Sequence, residues 1–122
     1  MKKKLLIVLA TADPASPVEV MSPIFQATVA AAMDHDAELL LTGRSGQLSI
    51  KGEAESIAVS DGNARTLYDF LRDAHEAGVT IKVCTPNLEQ WGTELIPEID
   101  ETVGSSYLVT EVMDKRTVTL TY

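Results

Sequence analysis

The chain contains 122 residues, of which 45% are hydrophobic and 23% are charged, which is ordinary for one globular domain and argues against disorder. Its formal net charge is −8 and its only run of basic residues is Lys2–Lys4, so direct binding to nucleic acid or to an anionic membrane surface is not expected. A single cysteine cannot form an internal disulfide and fits a reducing compartment, which predicts a cytoplasmic protein.

The first predicted element is a strand over residues 4–10. Its sequence, Lys-Leu-Leu-Ile-Val-Leu-Ala, is a nearly continuous apolar run, as is typical of a parallel strand covered on both faces. The same residues, with Lys2–Lys4 before them and Ala10–Ala12 after them, also imitate a signal peptide. Because the apolar run is at the short limit of a signal-peptide core of about 7–15 residues, we favour the strand.

A long helix is predicted over residues 17–33. Ser16 can cap it, the proline that follows suits its first position, and Glu19 would complete a capping box. Pro23 should kink this helix or mark a second start. The segment 24–33 is apolar almost all round, so we expect it to be covered on two sides, for example by a subunit interface.

The rest of the chain alternates further strands and helices. Helix 62–77 is predicted to have Asp61 as its cap, and the next helix is predicted to have Thr85 as its cap. Residues 43–46 form a turn, whereas residues 47–60 give no clear pattern. The remaining predicted strands are 37–42, 79–84, 95–100 and 117–122, and the remaining helices are 62–77, 85–92 and 102–113. This alternation predicts a doubly wound, mainly parallel five-stranded sheet with helices on both faces, in one domain over residues 1–122.

Ligand sites of such sheets form beyond the carboxyl ends of the strands. Four segments are expected to meet there, namely residues 11–16, 43–47, 84–87 and 100–104. Arg44, which lies between two glycines, could bind an anion there or simply belong to a solvated turn.

Cys84 is the clearest candidate for chemistry. It ends a predicted strand and directly precedes a predicted helix, whose unpaired N–H groups and dipole favour a thiolate over a thiol. A thiolate is a nucleophile that can take up sulfur or attack a disulfide. The alternative is that Cys84 is only a small buried apolar residue.

The other candidate residues are polar side chains of the converging segments. Thr85 could donate its hydroxyl to a sulfur on Cys84, although capping explains it equally well. Asp13 could hold a metal or accept a phosphoryl group, but the last strand lacks the lysine of a receiver domain, so a loop role is favoured. With Thr11 and Asn87 these residues are assigned to substrate binding, and neither a metal nor a cofactor is expected.

Several segments together resemble the DsrE/DsrF-like sulfur-relay family. Val83-Cys84, followed by a short helix that ends at Trp91-Gly92, is similar to that family's cysteine segment. The first strand, the alanine-rich helix, the second strand over 37–43 and the final helix and strand over 103–122 follow the family's order. The resemblance implies a flavodoxin-like sheet, assembly into homotrimers or homohexamers, and donor and acceptor proteins as partners. It also implies that Cys84 carries sulfur as a persulfide, without the second cysteine that some relatives have.

Two hypotheses therefore follow from the sequence. In the first, the protein is a sulfur carrier of the sulfurtransferase type that accepts sulfur on Cys84 and passes it to a partner thiol. In the second, it is a non-catalytic oligomeric module that binds a small ligand or a protein, and Cys84 only packs.

Overall fold

A sheet of five parallel strands lies at the centre of residues 2–60 and 64–122, the part of the chain that a computed structural model describes. The order across the sheet is β4-β3-β2-β1-β5, and every neighbouring pair is parallel, which confirms the predicted α/β class. The strands are β1 (Lys4–Leu9), β2 (Asp36–Leu41), β3 (Thr80–Cys84), β4 (Glu101–Val103) and β5 (Thr117–Thr121).

Helices cover both faces of this sheet. They are α1 (Pro17–Ala32), α2 (Leu67–Glu76), α3 (Thr85–Trp91) and α4 (Ser105–Val112), and two short 3-10 segments lie at Gly43–Ser49 and Ala54–Ser56. The chain moves in one direction across the sheet from β1 to β4, and right-handed crossovers therefore bring α1 and α2 to the same face. The return from β4 to β5 reverses the direction, so α4 covers the opposite face.

The alternation of β1 side chains shows the two layers. Ile7 and Leu9 are fully buried in the larger core, which also contains the inward residues of α1 and α2. Leu6 and Val8 point to the other face, where Tyr107 of α4 packs against a smaller cluster. We call the first side the α1 face and the second the α4 face.

The start of α1 differs in detail from the prediction. The helix begins at Pro17 as expected and continues through Pro23 without a second start. Ser16, however, makes no capping hydrogen bond with its side chain. The Glu19 carboxylate instead accepts a hydrogen bond from the backbone N–H of Asp13, at 3.2 Å, so it fastens the loop after β1 to the helix.

Helix α2 begins later than predicted. It starts at Leu67, because Thr66 and Asp69 form a capping box in which each side chain accepts from the other's backbone N–H. Ala64 therefore lies before the helix, and the predicted cap Asp61 lies outside the described residues.

The predicted fourth strand over residues 95–100 is wrong. Leu95 makes an isolated antiparallel bridge with Ile50, and Ile96 donates its N–H to Ser49, so these residues pair with the 3-10 segment. Pro97 cannot donate a ladder hydrogen bond. The chain joins the sheet only at β4, and consequently α4 begins at Ser105 instead of near residue 102.

Candidate functional site

Cys84 ends β3 and is the N-cap residue of α3, which confirms the predicted strand-to-helix junction. Its thiol is free and half-buried. The side chain packs against Leu6, Val8 and Leu40 on the α4 face, as part of the smaller apolar cluster. The sulfur therefore lies at the carboxyl edge of the sheet, partly accessible, with an apolar wall on one side.

Thr85 does not cap α3, in contrast to the prediction. It is already the first helical residue, and its hydroxyl donates to the backbone carbonyl of Val103 at 3.2 Å. Because Val103 pairs with Cys84 across β3 and β4, this bond fixes the start of α3 to the neighbouring strand.

Asn87 is 2% exposed and lies beneath α3. Its amide nitrogen donates to the Gly46 carbonyl at 3.2 Å and to Ser49 Oγ at 3.0 Å. Its Oδ1 has no hydrogen-bond donor among the described residues and faces the Cα of Gly46, where any Cβ would overlap it. Asn87 thus joins α3 to the 3-10 segment, below the surface of the site.

Thr11 and Asp13 belong to the loop after β1. Thr11 is exposed, whereas the carboxylate of Asp13 accepts from the N–H of Ala15 at 2.9 Å in a local turn. The other oxygen of Asp13 lies 3.6 Å from the guanidinium of Arg44. These contacts bring the first loop beside the turn that follows β2.

A groove of about 460 Å³ runs along this edge of the sheet, between the two loops and the end of α3. Its lining residues are Ala10, Thr11, Gly43, Arg44, Gln90 and Trp91. Trp91 donates its indole N–H to the Gly43 carbonyl at 2.8 Å, so the ring is fixed as a wall. Trp91 therefore both anchors the end of α3 and forms a wall of the groove.

Three of the four segments that the sequence predicted to converge do meet at this edge. The fourth does so only in part. Val103 lies beside Cys84, but Asp100 lies lower along β3, where its carboxylate accepts from the N–H of Ile81 at 2.9 Å and contacts His75 at 2.9 Å. The reason is the shifted position of β4, whose carboxyl end is Val103.

The sequence analysis missed a network of charged residues on the α4 face. Glu38 of β2 is only 2% exposed, and its carboxylate accepts hydrogen bonds from Tyr107 at 2.7 and 2.8 Å. The ammonium groups of Lys4 and Lys82 lie 2.9 and 3.2 Å from it, and Lys4 also contacts Glu111. A charged residue within an apolar strand was the signal, since a buried charge requires a partner.

Pairing within this network shifts the pKa values of Lys82 and Glu111. Burial acts to lower the pKa of Lys82, but the hydrogen bond to Tyr107 and the charge of Glu38 outweigh it and raise that pKa to about 12. The hydrogen bond from Lys4 holds the pKa of Glu111 below its usual value. Lys82 and Glu111 are therefore charged at neutral pH. Lys82 precedes Cys84 by two residues on the same face of β3, so the network fixes the strand that carries the thiol.

The described part of the chain has neither a membrane-spanning helix nor a cluster of metal-binding side chains. None of its helices is long and apolar enough to cross a bilayer. Nor do its His, Cys, Asp and Glu side chains include a group of three that could hold a metal ion.

Comparison with known proteins identifies a structural relative. The sequence matches no family profile and no curated protein. Among solved structures, the chain is similar to the YchN protein from E. coli, with a TM-score of 0.76 over 100% of both chains and 16% identical residues. At this identity the similarity establishes the fold alone.

Proposed function

We propose that the protein is a sulfur carrier of the sulfurtransferase type, and that Cys84 accepts sulfur as a persulfide and passes it to a partner thiol. The observation that carries the proposal is the position of Cys84. It is a half-buried free cysteine at the carboxyl edge of a parallel sheet, and the apolar cluster against which it packs also contacts Ala10, which lines the open groove. Two similarities support it: the fold is shared with YchN, a DsrE/DsrF-like protein, and the cysteine segment resembles that family.

The proposed transfer needs no oxidant. The Cys84 thiolate attacks the outer sulfur of a donor persulfide R–S–SH, so that a new S–S bond forms on Cys84 and the donor's S–S bond breaks. The electron pair of the broken bond leaves with R–S⁻, and the proton stays on the transferred sulfur. In the return step an acceptor thiolate attacks the outer sulfur of Cys84–S–SH and releases the Cys84 thiolate.

The neighbouring residues have distinct roles in this proposal. Thr85 and Asn87 are positioning residues, because they fix the start of α3 to β4 and to the 3-10 segment. Thr11 and Asp13 border the entrance from the side of the first loop. Among these residues, only Cys84 takes part in the bond changes, through its sulfur.

The test is sulfur loading followed by mass spectrometry. Native protein treated with a persulfide donor should gain one sulfur per chain, and Cys84→Ser should gain none. Native Cys84 should also react with iodoacetamide before denaturation. The Ser variant keeps nearly the same volume, so its melting curve should stay close to that of the wild type.

The opposite pattern would support the second hypothesis, a binding module in which Cys84 only packs. Wild-type protein would then gain no sulfur from donors that load other thiols, and its thiol would label only after denaturation. Cys84→Ser would also lose stability, since its hydroxyl would be buried without an assured partner.

We also propose that the protein is a homo-oligomer, a trimer or hexamer by the family resemblance. Helix α1 and its C-cap residue Met33 carry large apolar side chains on the outward side, with Phe25 56%, Val29 39% and Met33 65% exposed. They lie opposite the buried residues of the same helix, and Glu19 is its only charged residue. Such an uncharged face suits contact with another copy of the chain.

A further inference from the structure

The groove has the size of a small-molecule site, and one of its lining residues, Ala10, also packs against the apolar cluster that Cys84 contacts. We propose that the groove binds the persulfide of a low-molecular-weight thiol that carries a carboxylate, and that Arg44 binds this carboxylate. The inference rests on the proposed function and names the class of sulfur donor. The groove has a volume of about 460 Å³, which lies within the range of about 300–1,000 Å³ that is usual for ligand pockets.

The separation between the thiol and the groove limits the length of the ligand. Helix α3 runs from Cys84, its cap, to Trp91 in the groove wall, and its seven residues span about 10 Å at 1.5 Å per residue. An extended peptide covers roughly 3.3–3.6 Å per residue, so about three residues bridge this distance. A tripeptide-sized thiol can therefore present its sulfur to Cys84 while its far end lies in the groove.

Arg44 supplies the charge that selects an anion. It is the only charged residue among those that line the groove in the described part of the chain. Its side chain is 59% exposed, and its guanidinium lies 3.6 Å from the Asp13 carboxylate, which is too long for a hydrogen bond. Exposed pairs of this kind are weak, so Arg44 can turn to a ligand carboxylate and bind it through two parallel hydrogen bonds.

The remaining walls suit the middle of such a ligand. The fixed indole of Trp91 offers an apolar surface for methylene groups, whereas Thr11 and Gln90 offer hydrogen-bonding side chains. The floor is backbone at Gly43, where a Cβ would lie 2.7 Å from the Ala10 carbonyl oxygen. Since the whole chain has a net charge of −8, an anionic donor needs a local cation, and Arg44 provides it.

The sulfur transfer is the one already written, with R as the body of the anionic thiol. Its carboxylate stays on Arg44 while the outer sulfur passes to Cys84 and R–S⁻ is released. Arg44 thus contributes to binding and not to bond cleavage. Its loss should raise KM and leave kcat nearly unchanged.

The experiment compares two donors on the wild type and three variants. Glutathione persulfide is the anionic probe, the persulfide of 2-mercaptoethanol is the uncharged probe, and the rate of sulfur loading on Cys84 is measured by mass spectrometry. Arg44→Gln should raise KM for glutathione persulfide about tenfold, as expected for a charged hydrogen bond, and change loading from the uncharged probe less than about twofold. Arg44→Lys should recover part of the loss. Lys115→Gln, which removes an exposed positive charge elsewhere, should behave as the wild type.

The outcomes separate this inference from the proposed function. If Cys84 loads normally but KM for glutathione persulfide is unchanged in Arg44→Gln, the anionic site is refuted and the sulfur carrier stands. An equal loss with both donors also refutes it, because Arg44 would then not select charge. If Cys84 of the wild type loads from neither donor, the proposed function fails and the inference fails with it.

Discussion

The contact between Gly46 and Asn87 offers a sharp test of how the site is supported. A Cβ added at Gly46 would overlap Oδ1 of Asn87, lie 2.6 Å from its Cγ, and lie 3.2 Å from Cδ1 of Trp91. The Asn87 side chain would have to move, although it is only 2% exposed and holds two hydrogen bonds. We therefore expect Gly46→Ala to break the junction between α3 and the 3-10 segment.

The cost follows from the contacts that are lost. Asn87 donates two hydrogen bonds, at 3.2 and 3.0 Å, each contributing about 1 kcal/mol to stability. Overpacking of the crowded site adds about 1–3 kcal/mol. Gly46→Ala should therefore lower the free energy of unfolding by about 3–5 kcal/mol, within the roughly 5–15 kcal/mol of a typical domain. The protein should remain folded, but its urea midpoint should fall by about 2 M for a slope near 2 kcal/mol/M.

The assay is equilibrium unfolding in urea, followed by circular dichroism and by fluorescence of Trp91, the only tryptophan. Asn87→Ala removes the overlapping side chain, so adding Gly46→Ala to it should cost less than about 1 kcal/mol. Gly104→Ala is a matched control, since a Cβ there meets nothing within 4 Å. Additive losses for the two substitutions, or a Gly46→Ala loss no larger than that of the control, would refute the reasoning.

Three further predictions concern the charged network and the outward face of α1. Lys82→Met leaves the buried carboxylate of Glu38 with one cationic partner fewer and should lower the free energy of unfolding by about 3–5 kcal/mol in a urea titration; an unchanged midpoint would contradict the pairing. The pKa of Glu111 is lowered by Lys4, so this carboxylate contributes stability that is present at neutral pH and is lost as the pH falls through its folded-state pKa. Glu111→Gln should accordingly lose less stability than the wild type between about pH 5 and pH 3, and parallel melting curves for the two proteins would argue against it. Phe25→Glu should shift the protein toward smaller species in light scattering, whereas a wild type that is already monomeric at micromolar concentration would exclude the proposed oligomer.

The stability contributed by Lys82 depends on pH in the opposite direction to that contributed by Glu111. Because the pKa of Lys82 is raised to about 12, its contribution is complete below the ordinary lysine value of about 10.5 and is lost as the pH rises through about 12.

Much of the fold could be predicted because it depends on local patterns. Largely apolar runs at residues 4–10 and 37–42 predicted two of the sheet's inner strands, since a strand covered on both faces has few polar positions. The alternation of strands and helices predicted the α/β class, and the strand-to-helix junction at Cys84 followed from the Pro86 that opens α3. These features depend on few contacts distant in sequence.

The position of the short edge strand β4 and the hydrogen bonds at the helix starts depend on tertiary contacts instead. Residues 95–96 pair with the 3-10 segment, and only the space left beside β3 determines where β4 begins. Glu19 bonds to the loop after β1 because that loop folds back over the helix start. Rules for helix capping consider only residues close in sequence, so they cannot predict contacts with the 3-10 segment or with the loop after β1.

The candidate site shows the same division. The sequence by itself identified Cys84 and the edge of the sheet at which it lies, because parallel strands bring their carboxyl ends together. It could not show that Asn87 would be buried against Gly46, that Arg44 and Trp91 would border one groove, or that Lys4, Glu38 and Lys82 would pair across three strands. Those relations join residues as far apart in sequence as Lys4 and Lys82, and they depend on strand order and register, which set the distance between side chains that have no local pattern in common.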